Sequence, residues 1–157
     1  MELIFFNAEY GSLGDKLFAW LTNGPYSQVQ IRFSDGRRWG VNFQEGCIGF
    51  DPLPFEDASQ WDAFKLYDGD EEKALKWAEN HSGRFLKKRK FFFLSIFLRV
   101  LRFGYDPISK ALEKAGFTGL PEDSDANEMW RWVQEWITNH PYDGPKIARV
   151  SEIVSWE

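Results

Sequence analysis

Hydrophobic and polar residues along the chain follow two periods, and the strand-like period of two is clearest in residues 27–33. There Val29, Ile31 and Phe33 alternate with polar side chains, which predicts a half-buried strand with one polar face. Ser34-Asp35-Gly36 then predicts a hairpin turn into a second strand over residues 38–43, because glycine readily takes positive φ. Further strands are predicted at residues 3–6, 47–50 and 61–67, and residues 147–150 and 153–156 together predict a final strand.

The helical period appears first in residues 11–24, where Leu13, Leu17, Trp20 and Leu21 recur at helical spacing before Gly24-Pro25. Capping and stop signals predict four more helices: one over residues 71–80 opened by Asp70, one over 87–103, one from Asp106-Pro107 to Gly116, and a last one begun by Asp123 or Asp125. The last helix carries one apolar stripe, formed by Met129, Trp130, Val133 and Ile137.

These elements predict an α+β domain in which an antiparallel sheet packs with helices. The 157 residues suit a single domain, 1–157, that is long enough to bury a core without metals or disulfides. There is no internal repeat and no low-complexity linker.

Composition narrows the possible partners. The formal net charge of -5 argues against nucleic acid, because phosphate binding needs a basic face. A basic run at residues 87–90 precedes the apolar residues 91–103, so residues 87–103 (Lys87 to Phe103) could form a membrane-surface helix. The aromatic fraction of 18% fits either an aromatic core or rings exposed for a partner.

Cys47 is the only cysteine, so no intramolecular disulfide can form, which fits a reducing cytoplasm. The first residues have an acidic residue and no basic segment, which predicts a strand rather than a signal peptide. His81 and His140 lack the spacing of metal ligands, and there is no glycine-rich phosphate loop. We therefore expect a cytoplasmic protein without a metal or cofactor.

Several motifs in order resemble one known family. They are LIFF, GDKLFAWLTNGP, Tyr26-Ser27-x-Val29, FSDG at residues 33–36, FDP at residues 50–52, Trp61-Asp62 and a helix ending KALEKAG at residues 110–116. Residues 1 to about 120 resemble the permuted papain-like proteins of the NlpC superfamily, in the branch related to lecithin retinol acyltransferase. Small members of this family are common in bacteria and phages. Residues from about 121 to 157 form an extra helix and strand without a counterpart.

The resemblance implies a cysteine nucleophile at a helix N-terminus and a histidine base on the strand after Tyr-Ser. The histidine position is Gln28, whose amide cannot take up a proton near neutral pH. Gln30 lies on the same face and is also uncharged. The cysteine position is Gly104, and residues 103–106 contain no thiol or hydroxymethyl group. Both catalytic groups are therefore missing.

Three hypotheses follow. The first is a catalytically inactive papain-like protein, phage-encoded, that binds and modulates a bacterial host protein. Its binding residues would line the former cleft: Tyr26, Gln28, Gln30, Trp39, Phe43 and Trp130. The second is a hydrolase or acyltransferase with Cys47 as a relocated nucleophile. The third is a membrane-surface protein that uses residues 87–103.

Overall fold

The computed structural model describes residues 1–42, 47–51, 57–67, 69–85, 106–121, 125–139 and 147–149. The described strands are β1 (Glu2–Asn7), β2 (Tyr26–Arg32), β3 (Arg38–Asn42), β4 (Cys47–Phe50), β5 (Trp61–Leu66), β6 (Arg84–Phe85) and β7 (Ile147–Arg149). The described α-helices are α1 (Leu13–Leu21), α2 (Glu71–His81), α3 (Asp106–Lys114) and α4 (Ala126–Asn139). Two short 3-10 helices, Ala8–Tyr10 and Ala58–Gln60, precede α1 and β5.

The strands form one sheet in the order β6-β4-β3-β2-β1-β5-β7. Every neighbouring pair is antiparallel. The predicted α+β fold with an antiparallel sheet is therefore confirmed. The N-terminal strand β1 lies between β2 and β5, so both of its edges are paired within the sheet.

The register of β1 and β2 sets which side chains reach the core. Leu3 pairs with Ile31 and Phe5 pairs with Val29, and all four side chains are buried in the hydrophobic core. Gln28, Gln30 and Arg32 alternate with them onto the opposite face, as the sequence predicts. The predicted turn also forms, with Gly36 at a φ of 87°.

The helix ends follow their capping residues. Asp125 opens α4, because its Oδ1 accepts hydrogen bonds from the backbone N–H groups of Asn127 (2.8 Å) and Glu128 (2.9 Å). Asp70 caps α2 in the same way, through the backbone N–H of Lys73 at 3.0 Å. Gly116 follows α3 with a φ of +98°, which is the left-handed conformation expected of a C′ glycine.

Four predictions fall outside the described residues: the helix over 87–103, the strand over 153–156, and the positions of Phe43 and Gly104. Among the described residues, none of the helices has the length and apolarity needed to cross a bilayer.

Candidate functional site

The side chain of Gln28 lies in a cluster built around the carboxylate of Asp15, which we call the Asp15 cluster (Ser12, Asp15, Ser27 and Gln28). Ser27 Oγ donates to Asp15 Oδ1 at 2.8 Å, and Ser12 donates to Oδ2 from its backbone N (2.9 Å) and its Oγ (2.6 Å). The amide of Gln28 is near enough to this carboxylate to favour its charged form. The cluster therefore ties the start of α1 to β2.

The electrostatics of the cluster favour a fixed charge rather than proton transfer. Partial burial works against the charged form of Asp15, but the hydrogen bonds from Ser12 and Ser27, with a smaller effect of the Gln28 amide, outweigh it and lower the carboxyl pKa. A carboxylate with a lowered pKa and occupied lone pairs is a poor general base. Ser27 is also buried, so its hydroxyl is closed to a substrate. We conclude that the Asp15 cluster anchors α1.

Tyr26 belongs to the core, and the prediction that it lines a binding surface is wrong. Its side chain is only 4% exposed. Its ring packs at centroid distances of 5.3 Å from Phe5 and 5.7 Å from Trp130, and its hydroxyl donates to Asp62 Oδ2 at 2.6 Å. The ring is therefore unavailable to a partner, whereas Trp130 remains half-buried.

Trp39 is also wrongly predicted as a binding residue. Its side chain is 0% exposed, and its Nε1 donates to Ser82 Oγ at 3.0 Å. Its ring meets that of Trp77 in a T-shaped contact with centroids 5.6 Å apart. Trp39 lies on the core face of β3, opposite Ile31 of β2, so the sheet itself buries it.

Gln30 is 5% exposed, so it does not line an open cleft either. Within the described residues, its Oε1 has no hydrogen-bond partner. The side chain packs across Gly40 of β3, where an added Cβ would lie 3.0 Å from Gln30 Cγ. Gly40 therefore makes room for a buried glutamine rather than for a ligand.

The fallback nucleophile Cys47 lies in β4, with its backbone paired to Asn42 and Phe85. His81 is engaged within α2: its Nδ1 lies 2.7 Å from the carbonyl oxygen of Trp77, and the two rings stack with centroids 3.9 Å apart. Within the described ranges, no group of three or more His, Cys, Asp and Glu side chains is arranged to hold a metal ion.

Large apolar side chains are exposed on α1 and the turn before it. Among the described residues, those that are exposed are Tyr10, Leu13, Leu17, Trp20 and Leu21. We call this set the α1 face. Leu13 is 83% exposed and Trp20 is 76% exposed, so the rings and methyl groups at the centre of the face meet solvent. A surface helix normally turns such a stripe toward the core.

The contacts on the opposite side of α1 explain why its apolar stripe faces solvent. That side buries Phe18 and Ala19, and Thr22 at the C-terminal end of α1 is held by two residues of α4. Asn127 Nδ2 donates to Thr22 Oγ1 at 2.6 Å, and Arg131 Nη2 donates to the carbonyl oxygen of Thr22 at 3.0 Å. With the Asp15 cluster at one end and Thr22 at the other, the helix cannot rotate its leucines inward.

Sequence reasoning found the stripe on α1 but placed the binding residues elsewhere. The signal that could have located the surface was the second apolar pair, Phe18 and Ala19, on the same helix. A helix with two apolar sides is either buried on both or leaves one exposed, and α1 leaves one exposed. Asn127 helps to determine which side of α1 is buried, and no pattern in the sequence indicated this role.

The chain matches no family model, no curated protein and no solved structure. Its function is therefore inferred from the geometry of its own residues.

Proposed function

We propose that this chain is a non-catalytic protein that acts by binding another protein through the α1 face. The observation that supports the proposal is the contiguous apolar surface on α1. At about 150–250 Å² for each large side chain, the exposed fractions sum to on the order of 600 Å². That is at the upper end of the largest apolar patch on a typical monomer, roughly 300–600 Å², and patches of this size commonly mark interaction sites.

The chemistry of the α1 face is that of a protein-binding hot spot. Tyr10 and Trp20 supply exposed aromatic rings, and Leu13, Leu17 and Leu21 add exposed aliphatic side chains. The charge of Asp15 is directed inward by its hydrogen bonds, so Lys16 is the exposed charged residue within the helix. Interface centres are depleted in charge and enriched in Trp and Tyr, which matches this composition.

The absence of catalysis is part of the proposal. The position that the papain-like resemblance assigns to a base is Gln28, and its amide lies near the Asp15 carboxylate. An amide in this setting cannot exchange protons near neutral pH. On the same resemblance we propose that the chain is a phage-encoded papain-like pseudoenzyme and that its partner is a protein of the bacterial host.

A capture experiment tests the proposal. The tagged protein is incubated with bacterial lysate, bound proteins are identified by mass spectrometry, and each candidate is purified and titrated against the chain. We expect one partner whose affinity falls at least tenfold in the double variant Leu13→Ser, Trp20→Ser. Lys76→Ser, an exposed change on α2, is the matched control and should bind normally.

Two outcomes would contradict the proposal. A purified partner that binds the double variant as tightly as the wild type would show that the α1 face is not the binding surface. Flotation of the wild-type protein with liposomes, lost in the double variant, would instead assign the face to a membrane surface, because exposed Trp and Tyr also suit that environment.

A further inference from the structure

We propose that a second copy of this chain covers the α1 face in the free protein. The two α1 helices would pack antiparallel about a twofold axis near Leu17. This inference rests on the proposed function, because it names the occupant that a partner protein must displace. The homodimer would then be a resting form in which the binding surface is protected from water and from unrelated proteins.

The exposed area is large enough for such a dimer. One α1 face offers on the order of 600 Å², so two copies would bury at most about 1,200 Å² of these side chains in total. Stable interfaces of standard size bury about 1,200–2,000 Å². A contact at the bottom of this range forms a weak, reversible dimer, which is the behaviour that a displaceable cover requires.

The α1 face is also complementary to itself. Leu13, Leu17 and Trp20 follow the four-then-three spacing of a coiled-coil seam, which suits a partner helix. A twofold axis near Leu17 places Leu17 against its own copy and Leu13 against Leu21 of the second copy. The same axis places the large ring of Trp20 over Gly14 of the second copy.

Gly14 leaves the space that this arrangement needs. It is exposed, and a Cβ added there would meet only Ser12 Oγ, at an ordinary contact distance of 3.5 Å. A side chain at position 14 therefore fits the monomer without strain, whereas in the dimer it would occupy the position of the Trp20 ring. A substitution at Gly14 should therefore weaken the dimer without destabilising the folded monomer.

Charge sets the expected salt dependence. Each copy carries a formal net charge of -5, which opposes association at low ionic strength. Added salt screens this repulsion and leaves an apolar contact intact. We therefore expect dimerisation to strengthen with salt, whereas a contact made by opposite charges would weaken.

Sedimentation of the full chain over a concentration series from about 1 to 500 µM tests the inference. We expect a monomer–dimer equilibrium with a dissociation constant in the micromolar range. Gly14→Gln should raise that constant at least tenfold. Its thermal midpoint, measured at the lowest concentration, should stay at or above that of the wild type, because Gln is a better helix former than Gly. Lys76→Gln is the control and should dimerise normally.

Cross-linking gives a second measurement of the same geometry. Leu17→Cys in a Cys47→Ser background should yield a dimer with a short bismaleimide, because the axis brings the two introduced thiols together. Lys76→Cys in the same background should still dimerise but should give little cross-linked product, because position 76 lies outside the proposed interface. Cross-linking that is equally efficient at both positions would overturn the arrangement.

The outcomes separate this inference from the proposed function. A wild type that stays monomeric at the highest concentration overturns the inference, as does a dimer unaffected by both Gly14→Gln and Trp20→Ser. If that monomer still captures a partner through Leu13 and Trp20, the proposed function stands. If the wild type dimerises and these substitutions weaken the dimer, but no partner is captured, the result supports the inference and counts against the proposed function.

Discussion

Replacing Asn127 with alanine should destabilise the protein far more than a single polar substitution usually does. The side chain is fully buried and makes three hydrogen bonds that join α4 to α1 and β2. Its Oδ1 accepts from the backbone N of Tyr26 at 3.0 Å, and its Nδ2 donates to the carbonyl oxygen of Tyr26 at 2.8 Å and to Thr22 Oγ1 at 2.6 Å.

The expected loss in the free energy of unfolding follows from the hydrogen bonds that the substitution removes. Asn127→Ala removes the side-chain partner of the buried backbone N–H and C=O of Tyr26, and each buried hydrogen bond lost in this way costs about 1–3 kcal/mol. The hydroxyl of Thr22 keeps its bond to the carbonyl oxygen of Phe18 at 3.0 Å, so it adds little. The better helix propensity of alanine offsets roughly 0.5 kcal/mol. We expect a net loss of about 2–5 kcal/mol in the free energy of unfolding.

Urea denaturation followed by tryptophan fluorescence measures this loss, with far-ultraviolet circular dichroism as a second probe. The midpoint should fall with little change in the slope, because the folded state stays compact. Asn80→Ala on the exposed side of α2 is the control and should change stability by less than about 0.5 kcal/mol. A loss below about 1 kcal/mol in Asn127→Ala would refute the role of this side chain as the link between α1 and α4.

Three further predictions concern Asp15, Asp125 and Cys47. Hydrogen bonds lower the pKa of Asp15 in the folded state. Its contribution to the free energy of unfolding should therefore be present above the ordinary pKa of 3.8 and lost as the pH falls through the folded value. In urea titrations at several pH values, Asp15→Asn should lose less stability at acidic pH than the wild type does. Burial raises the pKa of Asp125, so its ionisation should reduce stability as the pH rises through and above 3.8. Asp125→Asn keeps a capping oxygen and should remove that decline, whereas Asp125→Ala should cost about 1 kcal/mol at low pH and less once Asp125 is ionised. Cys47→Ser should retain full partner binding, and labelling of Cys47 by an acyl-type thiol probe at a rate above that of free cysteine would favour the hydrolase hypothesis instead.

The sequence predicted the elements well because their signals are local. Period-two alternation in residues 27–33, the turn glycine Gly36 and the cap Asp70 each act within a few residues of themselves. The same local signals set the register of the hairpin, so the face of β2 on which Gln28 lies could be predicted. The α+β class with an antiparallel sheet followed from these elements.

The candidate site could not be predicted in the same way, because burial depends on packing between distant segments. Tyr26 and Trp39 belong to residue types that are common both in cores and at interfaces, and their positions in β2 and β3 gave no means of deciding between the two. In the structure both rings lie in the core, whereas Trp20 on α1 is exposed. The deciding contact for α1, between Asn127 and Thr22, spans 105 residues, which no local pattern encodes.

The way α1 is held also bears on how well its exposed face can bind. A nine-residue helix is too short to be stable alone in water, so the ordering of α1 depends on its anchors. Those anchors are the capping box of Ser12 and Asp15, the contact of Asp15 with Ser27, and the bonds to Thr22. They fix the helix before any partner arrives, which reduces the entropy lost on binding. A free peptide of residues 10–24 carries the same apolar side chains without this ordering, so it should compete for the partner much more weakly than the intact protein.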